Sequence, residues 1–518
     1  MNNITMNNIY KDSIKNIVIT LENYTDINSQ KYLSDFSINT IHFSLEQWDE
    51  LWNQLKESSN ESMKIIFLWE CLNHDLKNEK LEYYTQLLYN TTSLSWAQKY
   101  FIEYQIESLL FNNSNLGTKH ITELLYMNYH NILHSFMSNL NNLTVINNRN
   151  NDLIFITIQQ FLSLNHGPTK TILDRALILK TEFNKNIVII NTAEFLGTPC
   201  INLLTCVQAN YNEQYLNIDS YEYGGETFPF VQFDNNMPNI YNSQEFINFV
   251  RHNKPAYIIN IGSESLLMDA CSKIVPVLDI TTVPSDIAKT EATALAIGRD
   301  IKPDDEHLLN LIEKSTDYII KGRFTSSLKP QTCSYTRKDF NLPTDRFIIA
   351  IVGGRLTNEV DQQFINMIDI CFSYGAHLCI IGNMETYDKI CEEDNIFKNH
   401  STYLGFQKDI LAILEICDLY VNPKRKGGGT SVIEAMYKSL PAISINYGDV
   451  ALGAGEDFCV NNYAEMSETI TKYITDKSFY NEMSIKAKSR ADYMLDSKSA
   501  FVDIVNEFCT RFVDNMNS

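Results

Sequence analysis

The sequence lacks paired cysteines, long apolar runs and any surplus of positive charge. Its 11 cysteines are scattered singly with no C-x-x-C pair, so the sequence suggests neither a zinc site nor a disulfide framework. No run of 18 apolar residues occurs, and residues 1–30 have no basic start followed by an apolar stretch. We therefore expect a soluble, cytoplasmic protein without a transmembrane segment.

The charge balance is strongly acidic. The formal net charge is −21 and the isoelectric point is about 4.9. Such a surface repels nucleic-acid phosphates and anionic lipid headgroups, so nucleic acid is not an expected partner. Hydrophobic residues make up 44% of the sequence, which is ample for packed cores. A chain of 518 residues is too long for a single core. The sequence predicts two to three domains.

Two patterns divide the chain. Up to residue 148, segments such as Trp69–Leu88 carry apolar residues at three- and four-residue spacing, which is typical of helical hairpins. From residue 152 onward, short apolar runs alternate with amphipathic helices, which is typical of parallel α/β units. We predict a helical N-terminal region (1–148) for acceptor recognition or oligomerisation. Two Rossmann-like domains (149–335 and 336–490) follow, with a C-terminal helix (491–518) that packs back on the first.

Two α/β blocks in tandem imply a cleft between them. The strand Phe347–Val352 ends at Gly353, Gly354 and Arg355, and Leu153–Ile158 leads to a turn at His166. Open α/β sheets bind ligands at the carboxyl ends of their strands. We therefore expect the site at these turns.

The most informative segment is the glycine-rich stretch between Asn422 and Met436. A strand feeds a basic turn (Lys424, Arg425, Lys426) and then Gly427, Gly428 and Gly429 before Thr430 and Ser431. Glycines allow a ligand to approach the backbone, a capped helix start favours phosphate, and Thr430 is the expected cap. Glu434 lies one turn deeper, where a carboxylate can accept hydrogen bonds from ribose hydroxyls. The alternative is a plain glycine turn with a solvated Glu434.

On these residues, positions 347–490 resemble the C-terminal domain of GT-B glycosyltransferases, in particular the GT4-like retaining group. The resemblance implies a hexosyl- or N-acetylhexosaminyl-transferase in which Gly353, Gly354 and Arg355 face the diphosphate. It also implies that Leu404 and Phe406 lie beside the nucleobase and that Glu434 holds the ribose. The motifs that carry it are Ile351–Leu356, Tyr403–Phe406, Asp409, Asp418–Pro423, Gly429–Met436 and Leu440-Pro441.

Two departures from that group bear on the mechanism. Val360 stands where the group usually has a lysine, and Lys426 stands where it has a glutamate. The G-G-G-T-S form is also similar to that of O-GlcNAc transferases and of bacterial HMW1C-type protein N-glycosyltransferases, which likewise carry a helical domain before the GT-B core. This second likeness points to bacterial protein glycosylation. Retention and inversion of configuration both remain open.

His166 is the candidate proton acceptor in the first α/β block. Its turn resembles, over few residues, the His-Pro-Thr turn of O-GlcNAc transferases, and imidazole titrates near neutral pH. The alternative is a histidine that only fixes the turn. Glu264, Asp279 and Glu226 are further cleft candidates, with helix capping as their alternative role. The aromatic stretch 228–233 is interpreted as an ordered loop.

Together these residues predict transfer of a sugar from a nucleoside-diphosphate sugar, foremost a UDP-sugar, to a protein or glycan. No D-x-D motif occurs, so we expect no metal and no other cofactor, with amides and basic side chains neutralising the diphosphate. Two other functions stay open. One is a nucleotide-sugar epimerase of the same fold, and the other is a silent GT-B subunit that activates a partner transferase through the helical region.

Overall fold

The structure, a computed structural model, describes residues 40, 42–113, 115–194, 204, 209–234, 236–262, 264–283, 287–323, 325–326 and 328–514. Helices and strands are numbered in chain order over these residues. They form a helical region followed by two α/β domains, each built on one sheet.

Within its described residues, from position 42 onward, the helical region contains five α-helices. Ser44 and Ser95 each start a helix by capping boxes with Gln47 and Gln98, which satisfy amides that a helix leaves unpaired. The apolar faces bury a core that includes Trp48, Trp52, Trp69 and Tyr84. The helices are α1 (Leu45–Lys56), α2 (Glu61–His74), α3 (Asn78–Asn90), α4 (Trp96–Asn112) and α5 (Lys119–Met137). None of the described helices is apolar over a length sufficient to cross a bilayer.

The first α/β domain has an eight-stranded sheet in the order β3-β4-β2-β1-β5-β6-β7-β8, parallel except for β3. Its strands are β1 (Asn150–Ile158), β2 (Asn186–Asn191), β3 (Ser220–Tyr223), β4 (Glu226–Gln232), β5 (Pro255–Ile261), β6 (Val277–Ile280), β7 (Ala294–Ile297) and β8 (Ile319–Lys321). Its helices are α6 (Gly167–Glu182), α7 (Ile240–Asn253), α8 (Leu266–Cys271) and α9 (Pro303–Asn310). The predicted strands β1, β2, β5 and β6 form its centre.

The expected loop at 228–233 is wrong, because most of it is strand β4. Phe228 and Phe230 alternate with exposed residues and are buried against Phe161, which is the period-two pattern of a half-buried strand. β4 pairs in parallel with β2 and antiparallel with β3. The hairpin therefore extends the sheet at its outer edge.

The second α/β domain has a six-stranded parallel sheet in the order β11-β10-β9-β12-β13-β14. Its strands are β9 (Phe347–Gly353), β10 (Ala376–Gly382), β11 (Ser401–Gly405), β12 (Leu419–Asn422), β13 (Ala442–Ile445) and β14 (Cys459–Val460). Its helices are α10 (Leu356–Glu359), α11 (Gln362–Phe372), α12 (Tyr387–Glu393), α13 (Asn395–His400), α14 (Ile410–Leu414), α15 (Gly429–Tyr437), α16 (Gly448–Ala454), α17 (Tyr463–Thr475) and α18 (Lys477–Leu495).

The last helix, α19 (Ser497–Phe508), returns to the first α/β domain, where Phe501, Val505 and Phe508 join the core. The crossing lies at Asp496 rather than at residue 490, because α18 continues to Leu495 and buries Met494 in the second domain. This return crossing is hydrogen-bonded to the connection near Arg323 and Ser326, through which the chain first passes from the first to the second α/β domain. The amide of Ser326 donates to the Met494 carbonyl (3.0 Å), and Arg323 forms an ion pair with Asp496 (3.2 Å).

The helical region is fastened to the first α/β domain by buried charged and polar groups. Lys289 is 3% exposed and forms ion pairs with Glu103 (2.6 Å) and Glu107 on α4 and with Glu264 (3.8 Å). The Tyr129 hydroxyl of α5 donates to Asp269 (2.8 Å). Burial would cost such groups several kcal/mol if they were unpaired. Their pairing therefore specifies how the two parts dock.

The three further cleft candidates lie elsewhere, so that expectation is wrong. Glu264 belongs to the Lys289 cluster, and Asp279 is fully buried and accepts a hydrogen bond from Asn260 (2.7 Å). Glu226 forms an ion pair with Lys180 (3.3 Å) at the β4 edge. None of the three lines the interdomain cavity described below.

Candidate functional site

A cavity of about 910 Å³ lies between the carboxyl ends of the two sheets. Six of the twelve site residues expected in the second domain line it, namely Gly353, Gly354, Phe406, Thr430, Ser431 and Glu434. Gly382 lies on the same wall. The first-domain wall and the connecting segment contribute, among others, Leu164, Asn165, Gly167, Lys170, Arg175, Arg323 and Lys329. The glycine-rich segment thus opens onto the interdomain cleft.

Helix α15 starts at Gly429, and Gly428, two residues before the expected cap Thr430, occupies the N-cap position with φ +102°. Thr430 is the second residue of the helix, so its predicted role as the cap is wrong. A left-handed φ favours glycine, which has no Cβ to clash. Gly428 also has no side chain to accept from the first amides, so the helix start offers the Thr430 and Ser431 segment to the cavity.

Arg425 does not add its charge to the cavity as expected. Its side chain is buried and turned inward, where Nη1 donates to Glu359 Oε2 (2.8 Å) and Nη2 to the Val352 carbonyl (2.7 Å). Nε donates to Asn422 Oδ1 (2.9 Å). Burial with these partners commits the guanidinium to bracing the glycine turn against β9.

The other predicted cations also lie outside the lining of the cavity. Arg355 Nε lies 3.3 Å from Glu359 Oε1, and its guanidinium lies 4.5 Å from the ring centre of Phe111 on α4. Lys424 Nζ lies 5.6 Å from the ring centre of Tyr447, and the Lys426 carbonyl accepts from the Asp449 amide (2.6 Å). Contact of these three side chains with a diphosphate stays a prediction.

Glu434 is half-buried in the cavity wall, and burial raises the pKa of its carboxyl to about 7. The charges of Lys329 and Lys170 oppose this rise, so two cations from the opposite wall act on Glu434 across the cleft. Neither lysine is among the site residues predicted from the sequence. Lys170 could have been found, because it lies in the first turn of α6 after the His166 turn, whereas Lys329 lies in a polar connection with no motif.

The two nucleobase-side residues differ in exposure. Phe406 is 83% exposed and lines the cavity, where its ring offers a flat apolar face. Leu404 packs against the core of the second domain, and its carbonyl accepts from Gln407 Nε2 (2.7 Å). Nearby, the Tyr403 hydroxyl donates to the Gly382 carbonyl (3.0 Å), which fixes the end of β11 to the end of β10. Phe406 is therefore the side chain of the pair that a ligand can reach.

His166 occupies the N-cap position of α6, and its ring Nδ1 lies 2.8 Å from Thr169 Oγ1. Burial lowers the pKa of the imidazole, so the ring is neutral at pH 7. Its neighbours Leu164, Asn165 and Gly167 line the cavity, whereas His166 itself does not. Its contact with Thr169 agrees with a role in fixing the turn, and its role as a proton acceptor stays a prediction.

Comparison with known proteins bears on this geometry. Residues 335–490 match the family of glycosyl transferases group 1. A solved structure of a mutant O-GlcNAc transferase from Thermobaculum terrenum is similar over 98% of both chains, with a TM-score of 0.55 and 10% sequence identity. The chain has the fold of a GT-B glycosyltransferase. A comparison with curated protein sequences finds no match.

Other solved structures are similar over a smaller share of the chain and at lower scores. A glycosyltransferase from Rickettsia africae has a TM-score of 0.49 and 11% identity, over 70% of this chain and 99% of its own. HepE from Anabaena, in complex with UDP, has a TM-score of 0.48 and 13% identity, over 69% and 100%. The family match contains the second-domain wall from Gly353 to Glu434, whereas His166, Lys170 and Lys329 lie outside it.

Proposed function

We propose that this GT-B protein transfers a sugar from a nucleoside-diphosphate sugar, foremost a UDP-sugar, to a protein or glycan acceptor. The observation that carries the proposal is the start of α15, where Thr430 and Ser431, just after the Gly428 cap, line the same interdomain cavity as Glu434 one turn deeper. A helix start without a capping side chain favours a phosphate group. The match to glycosyl transferases group 1 supports glycosyl transfer as the reaction class.

In this proposal the donor lies along the second-domain wall. The diphosphate contacts Gly353, Gly354 and the amides at Thr430 and Ser431, while Glu434 accepts hydrogen bonds from the ribose hydroxyls. The nucleobase lies against Phe406, whose exposed ring suits stacking. This arrangement uses the polar groups that line the cavity and leaves the apolar face of Phe406 for the base.

The leaving diphosphate needs charge neutralisation, which we propose occurs without a metal ion. Helix amides aimed at developing charge stabilise it strongly when water is excluded. Lys170 and Lys329 line the opposite wall, so domain closure brings two further cations toward the phosphates. Metal independence is tested by measuring the transfer rate in excess chelator. A rate that falls in chelator and recovers on addition of Mn²⁺ or Mg²⁺ contradicts it.

The transfer step forms a bond from the acceptor nucleophile to the anomeric carbon and breaks the bond from that carbon to the diphosphate oxygen. The electron pair of the broken bond leaves with the nucleoside diphosphate. The acceptor proton goes to a base of the first domain, for which the candidate is His166, in the turn whose neighbouring residues line the cavity. Because Lys426 stands where the retaining group has a glutamate, the proposal allows either retention or inversion of the anomeric configuration.

The helical region is proposed to recognise the acceptor or a partner subunit. The contact of Phe111 on α4 with Arg355 brings this region to the turn after β9, at the border of the cleft. An acceptor bound to α4 would therefore lie near the proposed donor. The net charge of −21 disfavours an acceptor surface that is itself strongly acidic.

The test is a donor panel followed by acceptor identification. Purified full-length protein is incubated with UDP-glucose, UDP-N-acetylglucosamine and the corresponding GDP- and ADP-sugars, and nucleotide release is measured. Mass spectrometry of co-expressed candidate acceptors then detects the sugar mass. We expect release from a UDP-sugar and loss of that release in Glu434→Ala. Epimerised donor without acceptor supports the epimerase instead, and tight UDP binding with no turnover on any acceptor supports the silent subunit.

A further inference from the structure

A second cluster of chemically reactive side chains lies away from the cleft, between the helical region and the first α/β domain. His130 and His134 stand four residues apart on α5, so they share one helix face. Their ring centres lie 4.3 Å apart. Glu291, from the segment between β6 and β7, meets both of them. None of the three lines the interdomain cavity.

Both imidazoles converge on one carboxylate oxygen. His130 Nδ1 lies 2.8 Å and His134 Nε2 lies 3.4 Å from Glu291 Oε1, and the three ligand atoms lie within 4.8 Å of one another. Tetrahedral Zn²⁺ with bonds of about 2.0–2.1 Å separates its ligand atoms by roughly 3.3 Å. The spacing at His134 already fits this value, and the spacing at His130 needs to widen by roughly 0.5 Å.

The surroundings hold the carboxylate in place. The side chain of Glu291 is 6% exposed, and Lys273 lies 3.7 Å from its other oxygen, Oε2, which leaves Oε1 for the histidines. The Glu291 amide donates to Asp269 Oδ2 (2.9 Å), the oxygen that also accepts from Tyr129 beside His130. These contacts fix the backbone and the second oxygen of Glu291, so that Oε1 is held toward the two histidines.

We propose that His130, His134 and Glu291 bind a divalent transition-metal ion of the Zn²⁺ type, which joins the helical region to the first α/β domain. Two imidazoles and one carboxylate select such ions, whereas Mg²⁺ and Ca²⁺ prefer all-oxygen sites. The side chain of His134 is half exposed, so an ion can enter and a water molecule can complete a tetrahedral set. This inference does not rest on the proposed transfer reaction.

The test uses full-length protein without an affinity tag, stripped with a chelator and then titrated with Zn²⁺ by calorimetry. We expect one Zn²⁺ per chain and roughly a 100-fold or greater loss of affinity in the double variant His130→Ala/His134→Ala. Bound Co²⁺ should give the visible absorption of a low-coordinate site. Mg²⁺ should not compete.

A matched control involves the same helix, α5, which carries His120 and Glu123, together with His307 on α9. His120 and His307 flank Glu123, but they approach its two different oxygens, at 3.8 Å and 3.0 Å. His120→Ala/His307→Ala should therefore keep the Zn²⁺ affinity of the parent protein. Equal Zn²⁺ affinity in the parent and in the His130/His134 variant, with circular dichroism showing both folded, overturns the proposal. So does the absence of binding in the parent.

A stability measurement covers the case in which the double variant folds poorly. The conservative variant Glu291→Gln keeps the size of the side chain but removes the anionic ligand. Zn²⁺ should raise the midpoint of urea unfolding in the parent protein, because a ligand that binds the folded state stabilises it. The midpoint should stay unchanged with Zn²⁺ in Glu291→Gln, and an equal rise in both proteins contradicts the proposal.

Discussion

Replacing Gly428 with alanine should destabilise the second α/β domain by about 2–4 kcal/mol. The φ of +102° costs a residue with a side chain about 1–2 kcal/mol. The new Cβ would also lie 2.8 Å from Arg425 Nη2 and 2.9 Å from Asn422 Oδ1. The bonds of Arg425 to Glu359 and to the Val352 carbonyl resist its displacement, which adds about 1–2 kcal/mol of overpacking.

The assay must report on this domain alone. All four tryptophans, at positions 48, 52, 69 and 96, lie in the helical region, so tryptophan fluorescence does not follow the second domain. Hydrogen exchange, measured by mass spectrometry on peptides from β9 and β12, reports on the second domain directly. A loss of about 2–4 kcal/mol raises exchange through domain opening by roughly 30- to 900-fold.

Gly427→Ala is the matched control. The φ of Gly427 is not in the left-handed region, and a Cβ there meets only the flexible end of Arg355, at 3.2 Å. We expect a loss below about 1 kcal/mol and hence less than roughly a fivefold change in exchange. If the β9 and β12 peptides of Gly428→Ala exchange no faster than those of this control, Arg425 and the Gly428 cap do not brace each other as inferred.

The remaining predictions address the site and the interface. Glu434→Gln should weaken UDP binding by about tenfold in calorimetry, because a charged acceptor of ribose hydroxyls is lost. In the parent protein, affinity for UDP should fall as the pH drops through about 7, where Glu434 takes up a proton, and the variant should lack this dependence. Lys329→Met should move that midpoint to higher pH, since it removes a charge that lowers the pKa of Glu434. Phe406→Ala should weaken UDP binding by about tenfold through lost stacking. Lys289→Met should destabilise the helical region by about 3–5 kcal/mol, measured by tryptophan fluorescence in urea, because buried carboxylates lose their partner.

Specific outcomes would contradict these predictions. A pH profile for UDP that is the same in the parent protein and in Glu434→Gln would show that another group titrates. Unchanged affinity in both Glu434→Gln and Phe406→Ala would remove the donor from this wall of the cavity. An unfolding midpoint of Lys289→Met equal to that of the parent would mean that the buried ion pairs do not hold the interface.

The predicted GT-B fold is confirmed. It could be predicted because the patterns that indicate its strands and helices are local in the sequence. Buried parallel strands such as Phe347–Gly353 are continuous apolar runs, and β9 and β10 end at glycine turns that the sequence displays directly. The strand β4 was missed because its aromatic residues do not form a continuous apolar run and its parallel partner, β2, lies about 40 residues earlier in the chain. Local patterns identify the elements but not every pairing.

Side-chain directions at the site were harder to predict than the turn itself. Arg425 stands between two lysines in the sequence, and only the fold shows that Glu359, far along the chain, turns its guanidinium inward. Thr430 has the higher propensity for a cap, yet the turn leaves β12 in a left-handed conformation that glycine adopts more readily. Lys170 and Lys329 reach the cavity from another domain and from a connection, so their roles depend on tertiary structure.

The chain passes between the α/β domains twice, near Arg323 and at Asp496, and the two passages are bonded side by side. Such a pair of adjacent connections acts as one pivot, so we expect the domains to rotate about a single axis rather than to slide or separate. The rim of the cavity farthest from the pivot then travels the greatest distance during closure. A disulfide across that rim should block opening and closure of the cavity, whereas a disulfide beside the pivot should leave this domain motion unaffected.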